Sequence, residues 1–303
     1  MFLFSIVLAL LLEQFQPLAH QRYVREPLAR FGHFLEEHFN DGQRHHGMIA
    51  WLIALLPAVL LMLALQILLA RMQPVLALLL NVLVLYLTMG FRQFSHFFTD
   101  IHLALRMGEL DRARALLGDW RGKNAERLSS QEVARLAIEE ALLASHRHVF
   151  APLVCFVLLG PAGAILYRLA LFFRGQWGAE EFGAFGDTAR RAFSIIDWLP
   201  LHCTAAAFAM VGNFEDAVYC WRTQAGSWPD KSSGILLASG AGAIGVRLGQ
   251  PLQETGGFIE RPELGLGEEA DADFMQSTIG LVWRSLVLCV LLLALFWIAS
   301  WVG

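Results

Sequence analysis

The chain has 303 residues, of which 56% are hydrophobic, and its mean hydropathy is +0.50. A soluble domain usually holds about 45–50% apolar residues, and here the excess is gathered into runs of the kind a bilayer selects. The net charge of -4 excludes a nucleic-acid protein, which would carry a basic stripe. The four cysteines, Cys155, Cys203, Cys220 and Cys289, contain no CxxC pair and so give no zinc site or disulfide framework.

Met1 to Leu12 is the first apolar run, closed by Glu13. It lacks the basic start and small-residue cleavage site of a secretory signal. It is also short for a span, which needs about 20 residues. Continued through Phe15 and Leu18 it would just cross; otherwise it is a buried or re-entrant helix. Met48 to Ala70 is a clear span of 23 uncharged residues, with Pro57 inside it. Arg71-Met72-Gln73-Pro74 breaks the pattern, and Val75 to Met89 follows as a second apolar segment. So short a connection requires an antiparallel hairpin, which puts Gly47 and Gly90 on one side.

Residues 91–148 change character, with nine Lys and Arg side chains. Ser129-Ser130-Gln131-Glu132 reads as a capping box for a helix starting near Ser130. Val133, Leu136, Ala137, Ala141 and Ala144 give that helix an apolar stripe. The basic count places this segment in the cytoplasm and the 71–74 connection in the periplasm. Residues 13–47, with Arg22, Arg25, Arg30 and Arg44, fall on the cytoplasmic side through the hairpin.

Val149 to Phe173 is the next expected span, with a kink or break at Gly160-Pro161. Gly175 to Ser194 is polar and glycine-rich. Ile195 to Val211 is apolar but carries Asp197, Pro200 and His202, which fits a broken span or an interfacial helix. Phe214 to Gln276 is mixed, with Glu254 to Asp273 reading as a flexible acidic loop. Ile279 to Val302 is a final span, with Trp297 and Trp301 suited to the interface. The domain reading is therefore 1–90, 91–148, 149–214, 215–278 and 279–303.

No motif signals a metal or bound cofactor, and none is expected. His45-His46 and His146-Arg147-His148 do not share a helix face as a chelate would, and there is no HExxH, Walker A or GxSxG pattern. The small residues Gly240 to Gly245 resemble a phosphate loop only loosely and suit close helix packing at least as well. An ionisable side chain in an apolar run carries more information, because burying it costs about 2.5–3.5 kcal/mol on insertion scales. Asp197 is the foremost such residue, with Arg190 and Arg168 as its expected partners and Glu139 and His148 as weaker members of a polar binding cleft. No catalytic residue is assigned.

The same residues carry a resemblance. The opening Met1-Phe2-Leu3-Phe4 with Glu13, then Leu159-Gly160-Pro161, Leu166-Tyr167-Arg168, Asp197-Trp198-Leu199-Pro200 and Ala207 to Phe214 look like the AmpE family of inner-membrane proteins, a divergent relative of the CobD/CbiB family. His202 stands where AmpE proteins usually have arginine. The wider family shows in Gly108 to Arg114, in Glu139 and in Ala151-Pro152-Leu153. What the AmpE resemblance implies is an inner-membrane regulator or sensor in β-lactamase induction. Its implied partners are the lipid bilayer, a peptidoglycan-fragment amidase, and a muropeptide or lipid headgroup ligand, with no nucleic acid. The CobD/CbiB resemblance implies instead an ATP-dependent ligase joining a corrinoid acid to an amino alcohol. That family's carboxylate and asparagine motifs are replaced here by Leu143-Ala144, Arg147-His148, Phe193-Ser194 and the apolar residues around Leu171. A magnesium nucleotide needs such carboxylates, which favours the regulator over the enzyme at this point. A transporter is a third class, but no inverted repeat supports it. The expected fold is an all-α, polytopic helical integral membrane protein with a cytoplasmic helical segment.

Overall fold

The computed structural model describes residues 2–15, 25–179, 182–254 and 257–302. In chain order the helices are α1 (Phe2–Phe15), α2 (Glu26–Phe39), α3 (Arg44–Met72), α4 (Pro74–Thr88), α5 (Phe91–Arg106), α6 (Leu110–Arg121) and α7 (Ser130–Ser145). They continue as α8 (Ala151–Leu159), α9 (Pro161–Trp177), α10 (Gly183–Val211), α11 (Phe214–Thr223) and α12 (Lys231–Ile244). Five short strands follow, β1 (Val246–Gly249), β2 (Leu252–Glu254), β3 (Gly257–Ile259), β4 (Glu263–Leu264) and β5 (Glu268–Glu269), before α13 (Ala272–Val302). Among the described residues, Arg44–Met72, Ser130–Leu159, Gly183–Val211 and Ala272–Ala299 are long and apolar enough to cross a membrane. The protein is a polytopic helical membrane protein. Its first and last candidate spans bury only 11% and 22% of their most apolar window within the chain, so their apolar surface must face lipid.

The chain forms two compact units, each discontinuous in sequence: residues 1–90 with 147–200, and residues 91–146 with 201–303. In the first, α3 and α4 form the expected hairpin. Gln73 turns extended (φ -152°, ψ 125°), and Pro74, with no amide hydrogen to lose, starts α4. At 14 residues α1 is about 21 Å long at 1.5 Å per residue, short of a bilayer core. It packs on α4, while residues 16–24, including Leu18 and Arg22, lie outside the described residues.

The core of this unit gathers Leu35, Leu55, Tyr167, Phe173, Trp177, Phe185 and Phe193. The rings of Phe173 and Trp177 lie 4.5 Å apart, and those of Trp177 and Phe185 5.5 Å apart. The break expected within Val149 to Phe173 falls at Gly160-Pro161. Gly160, at φ 64° and ψ -154°, ends α8 and starts α9, and the two helices fold back on one another. Only glycine adopts that conformation readily. The close approach also needs Gly163, where an added Cβ would stand 2.1 Å from the Cys155 carbonyl oxygen. The stretch read as polar and glycine-rich is helical from Gly183, because Phe185, Ala189 and Phe193 recur on one face and are buried.

In the second unit α7 is the central helix. Its capping box forms as expected: Glu132 N donates to Ser129 Oγ at 3.2 Å, and Ser129 N donates to Glu132 Oε2 at 2.7 Å. Val133, Leu136, Ala137, Ala141 and Ala144 are buried, and so are Arg135 and Glu139. The helix does not stop before the expected span at Val149. A π-helical turn, His146–Phe150, carries it into α8. The Gly240 to Gly245 segment is the end of α12, not a phosphate loop. A Cβ on Gly242 would meet the Asp216 carbonyl oxygen at 2.5 Å, so the glycine permits close packing on α11.

The expected flexible acidic loop is corrected to strand. β1 pairs antiparallel with β4, in the register Leu248↔Leu264, and parallel with β5, in the register Val246↔Glu268. β2 and β3 form a separate antiparallel pair; residues 255 and 256 between them lie outside the described residues. Strands of two to four residues are too short to show an alternating pattern. Trp297 lies in α13, while the Trp301 side chain falls outside what the structure describes.

Candidate functional site

The expected site residues separate. Asp197, Arg168, His148 and Arg190 belong to the first unit, and Glu139 to the second.

In the first unit Asp197 is 4% exposed and continues the buried stripe of Ala189 and Phe193, while its neighbours Ile195 and Trp198 face outward. Tyr167 donates its hydroxyl to Asp197 Oδ1 at 3.0 Å. The phenol supplies one of the hydrogen bonds that a buried carboxylate requires. Arg190 is engaged elsewhere. It forms an ion pair with Asp187 and donates to the Gly178 carbonyl oxygen at 2.9 Å. The reason is local: α9 ends at Trp177, its last carbonyls lack helical partners, and a cation is favoured there. Arg168 Nη1 donates to His148 Nδ1 at 2.8 Å, so the neutral ring accepts at that nitrogen.

In the second unit His146, 1% exposed, meets the Thr204 hydroxyl at 2.9 Å. Glu139 holds a denser network. Arg261 donates to both its oxygens, at 2.8 and 3.0 Å, and Gly249 N donates at 2.9 Å. The guanidinium of Arg261 also donates to the Gly249 carbonyl oxygen at 2.8 Å and lies 5.3 Å from the Trp228 ring. One turn before Glu139, Arg135 donates from Nη1 to Gln250 Oε1. Sequence reasoning missed Arg135, Arg247, Gln250 and Arg261. The available signal was a pair of opposite charges four apart, Arg135 and Glu139, within the otherwise apolar run of residues 133–138 and its continuation at Ala141. Burial pushes the Cys220 thiol up to about 11, so it is not a nucleophile at neutral pH.

The positions where a magnesium-binding family would place carboxylates do not fit a magnesium nucleotide. Ala144 and Phe193 are buried apolar residues, and His148 accepts from a guanidinium. Among the described residues no three His, Cys, Asp or Glu side chains converge.

The family described as CobD/Cbib protein matches residues 4–282. A cobalamin biosynthesis protein CobD of Stutzerimonas stutzeri is 34% identical over 276 residues, covering 88% of this chain and 89% of that protein. A protein of the same name from Chromobacterium violaceum is 36% identical over 220 residues, 72% of this chain and 70% of that one. A third, from Leptospira interrogans, is 25% identical over 194 residues, 62% of each. No solved structure matches. These relatives overturn the expected role as a regulator of β-lactamase induction, since they are named for a biosynthetic pathway and not for signalling. The substituted carboxylate positions, which favour the regulator when the sequence is read alone, are outweighed by a relationship that covers 88% of the chain. The chain belongs to the CobD/CbiB family.

Proposed function

We propose that this chain is an inner-membrane enzyme of cobalamin biosynthesis, of the type that forms an amide between a corrinoid acid and an amino alcohol. The observation that carries this reading is the 34% identity to a cobalamin biosynthesis protein over 88% of this chain and 89% of the relative. No step is assigned to a magnesium nucleotide, because Leu143, Ala144, Arg147 and His148 offer no carboxylate for one. What the chain itself supplies is a membrane-embedded scaffold, a carboxylate hydrogen-bonded inside one unit and an arginine-rich network inside the other. The test is complementation of a strain that lacks its cobalamin-pathway homologue. Corrinoid-dependent growth restored by this chain is the expected outcome. Failure to grow, with the protein demonstrably inserted in the membrane, would overturn the assignment.

The same reading places residues 91–148 on the cytoplasmic face, supported by their nine basic residues. Glu126 is exposed and serves as the reporter position. Glu126→Cys in a cysteine-free background should stay unlabelled by a membrane-impermeant thiol reagent in intact cells and react once the inner membrane is opened. Labelling in intact cells would reverse the orientation.

A further inference from the structure

Helix α2 carries two apolar ridges, and the packing of the first unit covers one of them. Leu28, Gly32, Leu35 and Phe39 recur at helical spacing and meet the core. Gln176, in the last turn of α9, fixes that rotation, because its Nε2 donates to the Ala29 carbonyl oxygen at 3.0 Å. The approach needs Gly32, where an added Cβ would stand 2.2 Å from the Gln176 side-chain oxygen.

The second ridge is Pro27, Phe31, Phe34 and His38, about a quarter-turn round the helix from the first. It stays outside: Phe31 is 39% and Phe34 53% exposed, and Pro27 and His38 are exposed beside them. The ridge is ordered. His38 Nδ1 donates to the Phe34 carbonyl oxygen at 2.8 Å, and the two rings lie 4.2 Å apart. Arg30, His33 and Glu37 form the third, polar face. A single exposed apolar side chain needs no explanation, but an aromatic ridge on a helix whose other apolar ridge is already buried does.

The place of α2 in the chain says what covers that ridge. Phe39 ends the helix five positions before Arg44, the first residue of α3. Such a connection reaches at most about 18 Å. Helix α3 is a candidate span that buries only 11% of its most apolar window, and its outward stripe begins within two turns of Arg44, at Ile49, Ile53, Leu56 and Leu60. The ridge therefore sits near the head of a lipid-facing surface, at the level where hydrocarbon gives way to water. Helices with Phe and Leu on one face and charge on another lie in that plane. Charge does not select the lipid, since Glu26, Glu36 and Glu37 outnumber Arg30 on this helix.

We propose that α2 is an in-plane membrane anchor, with Pro27, Phe31, Phe34 and His38 seated at the boundary between headgroups and acyl chains beside α3. Apolar contact holds it there, not headgroup charge. The anchor is independent of the proposed biosynthetic role and is tested without reference to it.

The test uses the full chain in lipid nanodiscs, with a nitroxide label at Phe31→Cys or Phe34→Cys in a cysteine-free background. Glu37→Cys marks the polar face, and Leu60→Cys marks the outward stripe of α3. Molecular oxygen, which dissolves in hydrocarbon, should reach both ridge labels in preference to a water-soluble nickel chelate. That preference should place them about 5–10 Å inside the headgroup boundary, shallower than Leu60, while Glu37 shows the reverse preference. The result should be the same in phosphatidylcholine discs and in discs containing phosphatidylglycerol. The two ridge positions are labelled separately, so failure of one variant to fold leaves the other to decide. Ridge labels as open to the nickel chelate as Glu37 would overturn the proposal. Labels shielded from both reagents would also overturn it, and dipolar broadening would then identify a second copy as the cover. Insertion seen only with phosphatidylglycerol would overturn it as well, because headgroup charge would then hold the helix.

Discussion

Replacing Glu139 with alanine is expected to destabilise the second unit by about 3–5 kcal/mol, the cost typical of breaking a buried ion pair from one side. Glu139 accepts three N–H groups, two from Arg261 and one from Gly249, and both charged side chains are largely shielded from water, at 7% and 14% exposure. Alanine would leave the Arg261 guanidinium buried beside Trp228 and the Gly249 amide without its acceptor. The effect should extend to β1, because Gly249 ends that strand at φ 75°, and a Cβ there would stand 2.0 Å from the Pro262 carbonyl oxygen. Denaturant unfolding of the detergent-solubilised chain measures the loss. The double variant Glu139→Leu with Arg261→Met separates the causes. It should recover most of the stability if uncompensated charge is the main cost. A single variant as stable as the wild type would show that the network contributes nothing.

Gly163→Ala should be among the most damaging single-methyl changes in the first unit, at about 3 kcal/mol or more, at or beyond the usual upper range for overpacking. The new Cβ would stand 2.1 Å from the Cys155 carbonyl oxygen and 2.8 Å from Leu159 Cβ, and a backbone carbonyl cannot rotate aside as a side chain can. The α8–α9 reversal would have to open, and with it the packing of Tyr167 and Phe173 in the core. Gly175→Ala is the matched control on the same helix. Nothing lies within 4 Å of its added Cβ, so it should gain up to about 1 kcal/mol from helix propensity. Thermal unfolding in detergent should therefore move in opposite directions for the two alanines. Equal midpoints would mean that the helices are not packed as closely as described.

The membrane character and the α3–α4 hairpin were legible because each depends on a run of about 20 residues or on a single proline, both local features. The capping box at Ser129 was legible for the same reason: its donors and acceptors lie within one turn. The partner of Asp197 was not. Sequence spacing nominated Arg190, two turns away, but the unsatisfied carbonyls at the end of α9 and the nearer Asp187 hold that guanidinium, and the phenol of Tyr167 arrives from another helix. The partial satisfaction of Arg135 was equally out of reach, since its natural i+4 partner Glu139 is held by Arg261, 122 residues further along the chain.

By itself, then, the sequence determined that this is a helical membrane protein, where its most apolar helices run, and that its motifs resemble the wider CobD/CbiB family; the AmpE role read from the same motifs is what the relatives overturn. Helix periodicity, apolar run length and caps are short-range properties, and each is written within a few turns of chain. Only the tertiary structure decided that residues 1–90 pack with 147–200 and residues 91–146 with 201–303, that the break expected at Gly160 is a full reversal of the helix, and which buried guanidinium nitrogens lack a hydrogen-bond partner among the described residues. Those outcomes depend on which side chains meet across more than a hundred residues of chain. Burial makes such meetings decisive, because a charge removed from water takes whatever partner packing brings within hydrogen-bond reach.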